Sequence, residues 1–252
     1  MNFLSIVWDP NIELVEIGPL SIRYYSLMFV IAFLAGLYIM KKIYKNEKVS
    51  TDLLDPLFIY TVLATLIGAR LGHFLFYDFE FLMSHPLEVL LPFTLHPFQF
   101  PGYQGLASHG AAIPVIIAMY LYSKKVLHKP VLWILDRIVL PVAFGGIFIR
   151  FGNLMNSEIV GKPTNSDYGF IFKQLGEDFP RHPAQIYEIA GYIITFAILW
   201  YVYWKTDKKD KLGYIFGLFM VLLWSVRFIA EYFKDGQVAS REDWVLNTGQ
   251  LL

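Results

Sequence analysis

Cysteine is absent from this chain, which excludes disulfide bridges, thiolate metal sites and a cysteine nucleophile of its own. Charge is scarce as well. Asp, Glu, Lys and Arg supply 17% of the 252 residues, against the ~25% of an ordinary soluble domain. Neither sign is in excess, with 21 acidic and 21 basic residues, so no global field points to a nucleic-acid partner and none is expected. Low-complexity tracts and repeats of solenoid period are lacking too. What the chain does have is apolar surface: hydrophobic residues make up 56% and mean hydropathy is +0.48. A chain of this size cannot bury that much in one water-soluble core, so lipid must cover the rest. Disorder, coiled coil and a secreted mini-protein are excluded together.

The apolar residues gather into runs near the ~20 residues that a bilayer requires. Spans are expected at about 22–40, 54–77, 104–122, 130–151, 183–204 and 212–233, within a single membrane domain over 1–252. The fold class expected is all-α, a polytopic integral membrane helical bundle. The first run does not read as a cleaved signal peptide, because it begins far from Met1, lacks a basic leader, and is followed by Lys41 and Lys42. Lysine placement gives an orientation. Segments 41–53, 123–129 and 205–211 carry eleven lysines (Lys41, Lys42, Lys45, Lys48, Lys124, Lys125, Lys129, Lys205, Lys208, Lys209 and Lys211). The opposite segments carry five cations, Lys162, Lys173, Arg181, Lys234 and Arg241. The positive-inside rule then predicts the lysine loops in the cytoplasm and the N-terminus outside. Segment 78–103 contains Pro86, Pro92, Pro97 and Pro101 and is expected to lie along the outer interface, partly as a short amphipathic helix. Segment 152–182 reads as an outer loop.

Five further arginines, Arg23, Arg70, Arg137, Arg150 and Arg227, fall inside or at the ends of the spans. A charge at the bilayer centre costs roughly 2.5–3.5 kcal/mol, so they need reasons. Arg23 and Arg137 are read as helix-end residues snorkelling to headgroups, Arg137 with Asp136 beside it. The others share a depth under the predicted topology. Arg70 with His73, Arg150, and Arg227 with Glu231 fall in the outer halves of spans two, four and six. Tyr25, His109, and His182, Gln185, Tyr187 and Glu188 fall near the outer starts of spans one, three and five. The expectation is a polar cavity toward the outer leaflet. A guanidinium is always charged and its planar fork fits phosphate oxygens, and the abundant phosphate at that depth is a lipid headgroup. A structural alternative pairs Arg227 with Glu231 on one helix face and Arg150 with Glu158 beyond the span.

The densest polar stretch is RFGNLMNSEIVG, from Arg150 to Gly161, in which Asn153, Asn156, Ser157 and Glu158 cluster. Gly and Asn are ordinary helix-exit residues. That accounts for the glycines and not for an arginine at membrane depth beside two asparagines and a glutamate. None of the six histidines shows metal-ligand spacing, and no metal is expected. His85, His96 and His128 read as surface residues. His109 stands in SHG at the mouth of a span, where a neutral imidazole is suited either to taking a proton from a nucleophile or to hydrogen-bonding support.

These motifs together resemble the bacterial prolipoprotein diacylglyceryl transferase family, whose signature reads roughly G-R-x-G-N-F-x-N-x-E-x-x-G. Arg150, Gly152, Asn153, Asn156, Glu158 and Gly161 match it, while Ile149 and Leu154 depart from it. GPLSIRYYSL with Tyr25, GARLG with Arg70, SHG with His109, RHPAQIYE with His182 and Gln185, and RFIAEYF with Arg227 and Glu231 follow the family in order. Ala111 departs where the family usually has a second Gly after HG. The resemblance implies transfer of the diacylglyceryl group of phosphatidylglycerol to the lipobox cysteine of a prolipoprotein signal peptide. The products are a thioether and glycerol phosphate. An enzyme without cysteine fits, since the thiol arrives with the substrate. By the same resemblance Arg150 and Arg227 hold the phosphate and stabilise the leaving group, with His109 assisting deprotonation or holding the lipid. Tyr25, Asn153, Glu158 and Gly161 shape the lipid site, with Arg70, Asn156, His182, Gln185 and Glu231 in support. No cofactor is implied, and the place implied is the bacterial cytoplasmic (inner) membrane with the active site facing the outer leaflet.

The family usually has seven spans, with a GQ element before the last, whereas this sequence stops at Gly249-Gln250-Leu251-Leu252. The expectation is six spans with the C-terminus outside. Two other classes compete with the transferase reading, a small anion transporter or channel and a lipid-binding scaffold. Against the first, no polar stripe runs the full depth of several spans, and paired broken spans are not found.

Overall fold

In lipid a backbone has no water to satisfy it, so long apolar runs close their hydrogen bonds internally as helices. A computed structural model describes residues 4–17, 20–91, 94–95, 98–99 and 108–235. Its elements in chain order are β1 (Ser5–Trp8), β2 (Glu13–Ile17), β3 (Leu20–Arg23), α1 (Tyr24–Asn46), α2 (Leu54–Tyr77), α3 (Phe79–Ser84), α4 (Pro86–Leu90), β4 (Thr94–Leu95), β5 (Phe98–Gln99), α5 (Ser108–Tyr122), α6 (Val131–Met155), β6 (Gly169–Phe172), α7 (Ala184–Lys205) and α8 (Tyr214–Glu231). Among the described residues six helical stretches are long and apolar enough to cross a membrane: α1, α2, α5 with its continuation to Leu127, α6, α7 and α8. Large apolar side chains point outward along them, among them Val30 and Leu34, Leu63 and Ile67, Ile113 and Ile117, Ile193 and Ile194, and Val221. The chain is a multi-pass helical membrane protein, the class its sequence predicts. Residues 236–252, which bear on the expected place of the C-terminus, lie outside the described residues.

Three two-stranded sheets among the described residues, which the sequence reading does not anticipate, stand outside the long helices. β1 pairs in parallel with β6, Ser5 opposite Gly169, and β2–β3 and β4–β5 are antiparallel hairpins.

The chain divides into two units, 1–40 with 136–252, and 41–135. In the second, α2 and α5 cross at three glycines. A Cβ built on Gly72 would sit 2.3 Å from the Gly110 Cα, so only glycine permits this approach, the small-residue contact typical of membrane helices. Tyr122 donates to the Leu53 carbonyl at 2.9 Å, and its hydroxyl lies 2.9 Å from that of the buried Tyr44. The run from α5 continues as a π-turn over Ser123–Leu127. It ends at His128, whose φ is 53° and whose N–H closes on the Ser123 carbonyl.

In the first unit, α7 and α8 meet where Gly191 faces Val226. Asp136 caps α8: its two carboxylate oxygens accept from the N–H groups of Gly213 (2.7 Å) and Phe216 (2.8 Å). The snorkelling expected of Arg137 is not what the fold contains. Arg137 is buried, donates to the Lys209 carbonyl at 3.1 Å and lies 3.8 Å from Asp136. Its charge thus holds the turn between α7 and α8, because a neighbouring carboxylate and a carbonyl replace the headgroups. The β1–β6 pair is fastened to the end of α6 by Trp8, whose indole donates to the Leu154 carbonyl at 2.9 Å. Trp8 also packs on the buried cluster of Leu154, Phe170 and Phe172.

Candidate active site

The last two turns of α6 and the chain that leaves them build the site. Gly152 lets α1 approach, since a Cβ there would lie 2.8 Å from the Tyr25 ring. Arg150, 8% exposed, donates through Nη1 to Asn153 Oδ1 at 3.0 Å. Asn153 passes the connection on. Its amide donates to Glu158 Oε2 at 3.1 Å. Asn156 donates to the other oxygen, Glu158 Oε1, at 3.3 Å, so two amides fix one carboxylate. Gln185, at the start of α7, donates to the Glu158 carbonyl at 2.6 Å. The backbone at this exit is strained. Ser157 and Ile159 have φ of 52° and 59°, and a left-handed β-branched residue costs on the order of 1–3 kcal/mol unless its surroundings enforce it.

Charge balance comes from α7 and the end of α8. Arg150 Nε lies 2.9 Å from Glu188 Oε2, an ion pair without aligned hydrogen-bond geometry, and Glu188 is fully buried. Its Oε1 accepts from Lys234 at 3.2 Å, and Lys234 also lies 3.2 Å from Glu231. Arg150, Glu188, Lys234 and Glu231 therefore form one alternating chain of charge. In a membrane protein such groups persist only when paired in this way. The pairing of Arg150 with Glu158 suggested by their sequence distance is absent; Asn153 stands between them.

Lys234 owes its place to Gly161. Residues 160–162 run antiparallel to 233–235, with Lys162 N–H donating to the Phe233 carbonyl (2.8 Å) and Asp235 N–H to the Val160 carbonyl (3.1 Å). Gly161 N–H donates to the His182 carbonyl at 3.0 Å. Three segments meet on a residue that has no room for a side chain. Arg181 braces them, donating to the Gly161 carbonyl (3.0 Å), to Asp235 (2.7 Å) and through two nitrogens to Glu177 (2.6 and 2.7 Å). The Glu177 bonds lead in raising its pKa above the ordinary arginine value. His182 faces Tyr187, Nδ1 to hydroxyl 3.1 Å, within a ring cluster that includes Tyr168 and Phe233.

Arg227 lies one turn before Glu231 on α8. Its guanidinium stands 5.7 Å from the centre of the Trp224 ring, and its buried Nε has no hydrogen-bond acceptor among the described residues. The expected residues Arg150, Asn153, Asn156, Glu158, Gly161, Gln185 and Glu231 are thus joined, directly or through one neighbour, in a single network, and the Tyr25 ring packs beside it at Gly152. Arg70 and His109 belong to the other unit. Arg70 donates to the carbonyls of Val89 (2.9 Å) and Glu88 (3.5 Å) and stacks on Phe74, so it fastens α4 to α2. His109 stands in the first turn of α5, where only its backbone is described. Among the described residues no three His, Asp or Glu side chains stand together as metal ligands.

Glu188 is expected at the depth of the cavity but without a role there, and Tyr192 and Lys234 are not among the residues expected of the site. A signal for the first two is present in the sequence. Gln185, Glu188, Tyr192 and Thr195 recur at helical spacing and form one buried polar stripe on α7.

A family model described as prolipoprotein diacylglyceryl transferase matches residues 13–252. The phosphatidylglycerol–prolipoprotein diacylglyceryl transferase of Chloroherpeton thalassium is 39% identical over 247 residues, covering 98% of this chain and 88% of that protein. The protein of the same name from Tolumonas auensis is 37% identical, covering 98% of this chain and 92% of its own. That from Bacteroides fragilis is 39% identical over 252 residues, covering 99% and 90%.

Proposed function

The chain belongs to the prolipoprotein diacylglyceryl transferase family, and from that premise we propose that it moves the diacylglyceryl group of phosphatidylglycerol to the lipobox cysteine of a prolipoprotein. The thiol sulfur attacks the glycerol carbon esterified to phosphate, a carbon–sulfur bond forms, the carbon–oxygen bond breaks, and glycerol phosphate leaves. The thiol proton is lost to a base, a role that the family pattern gives to His109.

The observation that carries this reading is Arg150. A guanidinium buried at the end of an apolar helix is held by Asn153 and Glu188 in a fixed orientation. Fixed donors are what a developing phosphate charge requires, because they need not reorganise as the bond breaks. Arg227, with a buried nitrogen short of an acceptor, is proposed as the second phosphate ligand. Tyr25, Asn153 and Glu158 orient the lipid glycerol, and Gly161 acts by letting the chain cross behind them. The lysine distribution supports a site facing the outer leaflet of the cytoplasmic membrane.

Incubating the purified protein with phosphatidylglycerol and a lipobox peptide, then weighing the peptide, tests the proposal. The mass of one diacylglyceryl group on cysteine sulfur is the expected gain, and a serine peptide gains nothing, since an alcohol is not deprotonated near neutral pH as a thiol is. A peptide of unchanged mass, or equal transfer to serine, refutes the chemistry.

A further inference from the structure

Glu188 contacts Arg150 in an unusual manner for such a pair. Arginine and carboxylate favour two parallel hydrogen bonds, fork to fork. Here Oε2 lies 2.9 Å from Arg150 Nε with neither hydrogen bond of the fork aligned, while the other oxygen accepts from Lys234 at 3.2 Å. Glu188 is fully buried and Lys234 is 3% exposed, so neither can turn to water for a different partner. We propose that Lys234 is a positioning residue for diacylglyceryl transfer: by holding one oxygen of Glu188 it keeps that carboxylate off the Nη groups of Arg150, whose donors beyond the one given to Asn153 then face the lipid phosphate. The inference rests on the assignment of Arg150 to the phosphate.

Lys234 lies just beyond α8, and its position comes from the backbone. The antiparallel crossing of 160–162 and 233–235 sets it, and Arg181, bonded to both the Gly161 carbonyl and Asp235, locks the crossing. Without the ammonium, Glu188 keeps one cation in a site that water does not reach. A buried carboxylate in that position takes the full fork of Arg150, because two aligned charge-assisted bonds then replace an unaligned ion pair. The guanidinium remains present but competes poorly for a phosphodiester. Lysine suits this task, since its compact ammonium neutralises one oxygen without covering the second.

The test uses the full chain in mixed micelles of defined phosphatidylglycerol content, with turnover and KM measured separately. Lys234→Met is expected to lower kcat/KM roughly 10²-fold, the scale of a catalytic group displaced by about 1 Å, mainly through a raised KM for phosphatidylglycerol. Lys234→Arg restores KM to near wild type. The discriminating variant is Glu188→Gln with Lys234→Met. A neutral amide no longer competes for Arg150, so the double variant recovers kcat/KM by roughly tenfold or more over Lys234→Met, a coupling ordinary for directly paired charges. A merely structural lysine predicts the reverse, a double variant no better than Lys234→Met, and that result overturns the proposal. Arg150→Gln in the same assay separates the two ideas. If it retains wild-type KM and turnover, the assignment of Arg150 fails and the proposal with it. If it is inactive while Lys234→Met keeps wild-type KM, the role of Lys234 alone fails.

Discussion

In a Gly161→Ala variant the new Cβ starts 2.3 Å from the His182 carbonyl oxygen, 2.6 Å from the His182 Cβ and 2.7 Å from the Phe233 carbonyl oxygen. Ordinary contact begins near 3.4 Å. Residue 182, the segment 233–235, or both must therefore retreat by roughly 1 Å, and none of the three atoms is the tip of a flexible side chain. Overpacking of this kind costs about 1–3 kcal/mol of stability. The functional loss is expected to be larger. The segment that moves carries Lys234, and through Glu188 it sets Arg150, so a displacement near 1 Å reaches the reacting groups and costs roughly 10²-fold in rate. Gly217→Ala is the matched control. It also adds a methyl to a glycine of this unit, yet among the described residues nothing lies within 4 Å of the new Cβ, and alanine in a helix is favoured by about 0.5–1 kcal/mol. Transfer rate to a lipobox peptide and thermal unfolding in detergent are read for both. Wild-type transfer by Gly161→Ala would refute the reasoning that the crossing positions the site. Equal losses in both variants would show that any added methyl harms this membrane protein.

Other expectations follow from the same geometry. Asp136→Ala removes the carboxylate that caps two N–H groups at the start of α8 and leaves buried Arg137 without its neighbour, so stability should fall by at least the 1–2 kcal/mol of a lost cap. Thermal unfolding measures it, and an unchanged midpoint contradicts the capping role. Orientation is accessible because the chain has no cysteine to remove. A cysteine placed at exposed Ser166 should react with an impermeant maleimide in intact cells, and one at exposed Asp207 only after permeabilisation; the opposite pattern inverts the topology. Arg227→Gln should cut turnover by roughly 10²–10³, whereas an Arg227 that merely packs on Trp224 leaves turnover intact.

The parts of this protein that were legible in its sequence are those whose signal is local. Six apolar runs give six helices, because length and hydropathy suffice for a helix in lipid. The stretch from Arg150 to Glu158 could be read as a site because its polar residues crowd within three turns of chain. What escaped the sequence depends on distant partners. β1 is a strand only because residues 169–172 return to it, and no alternation in Ser5–Trp8 announces that. Lys234 looks like any cation in a loop after a span, and its burial follows from the crossing at Gly161. Arg150 has Glu158 close in sequence, yet it pairs with Glu188 from another helix, since the turn at Ser157 carries the Glu158 carboxylate toward the two asparagines. Arg137 was misread for a related reason: its carbonyl partner, Lys209, is fixed by the turn before α8 and not by anything near it in sequence.

Turnover of the Arg150→Gln variant at saturating phosphatidylglycerol tests the central claim, that a buried, oriented guanidinium stabilises the phosphate as it departs. Saturation removes differences in lipid binding and leaves the transition state. Loss of one such charged donor is expected to reduce turnover by about 10²–10³, with Arg150→Lys also impaired because the charge remains but the fork is lost. A variant with glutamine at this position that turns over at the wild-type rate contradicts the account.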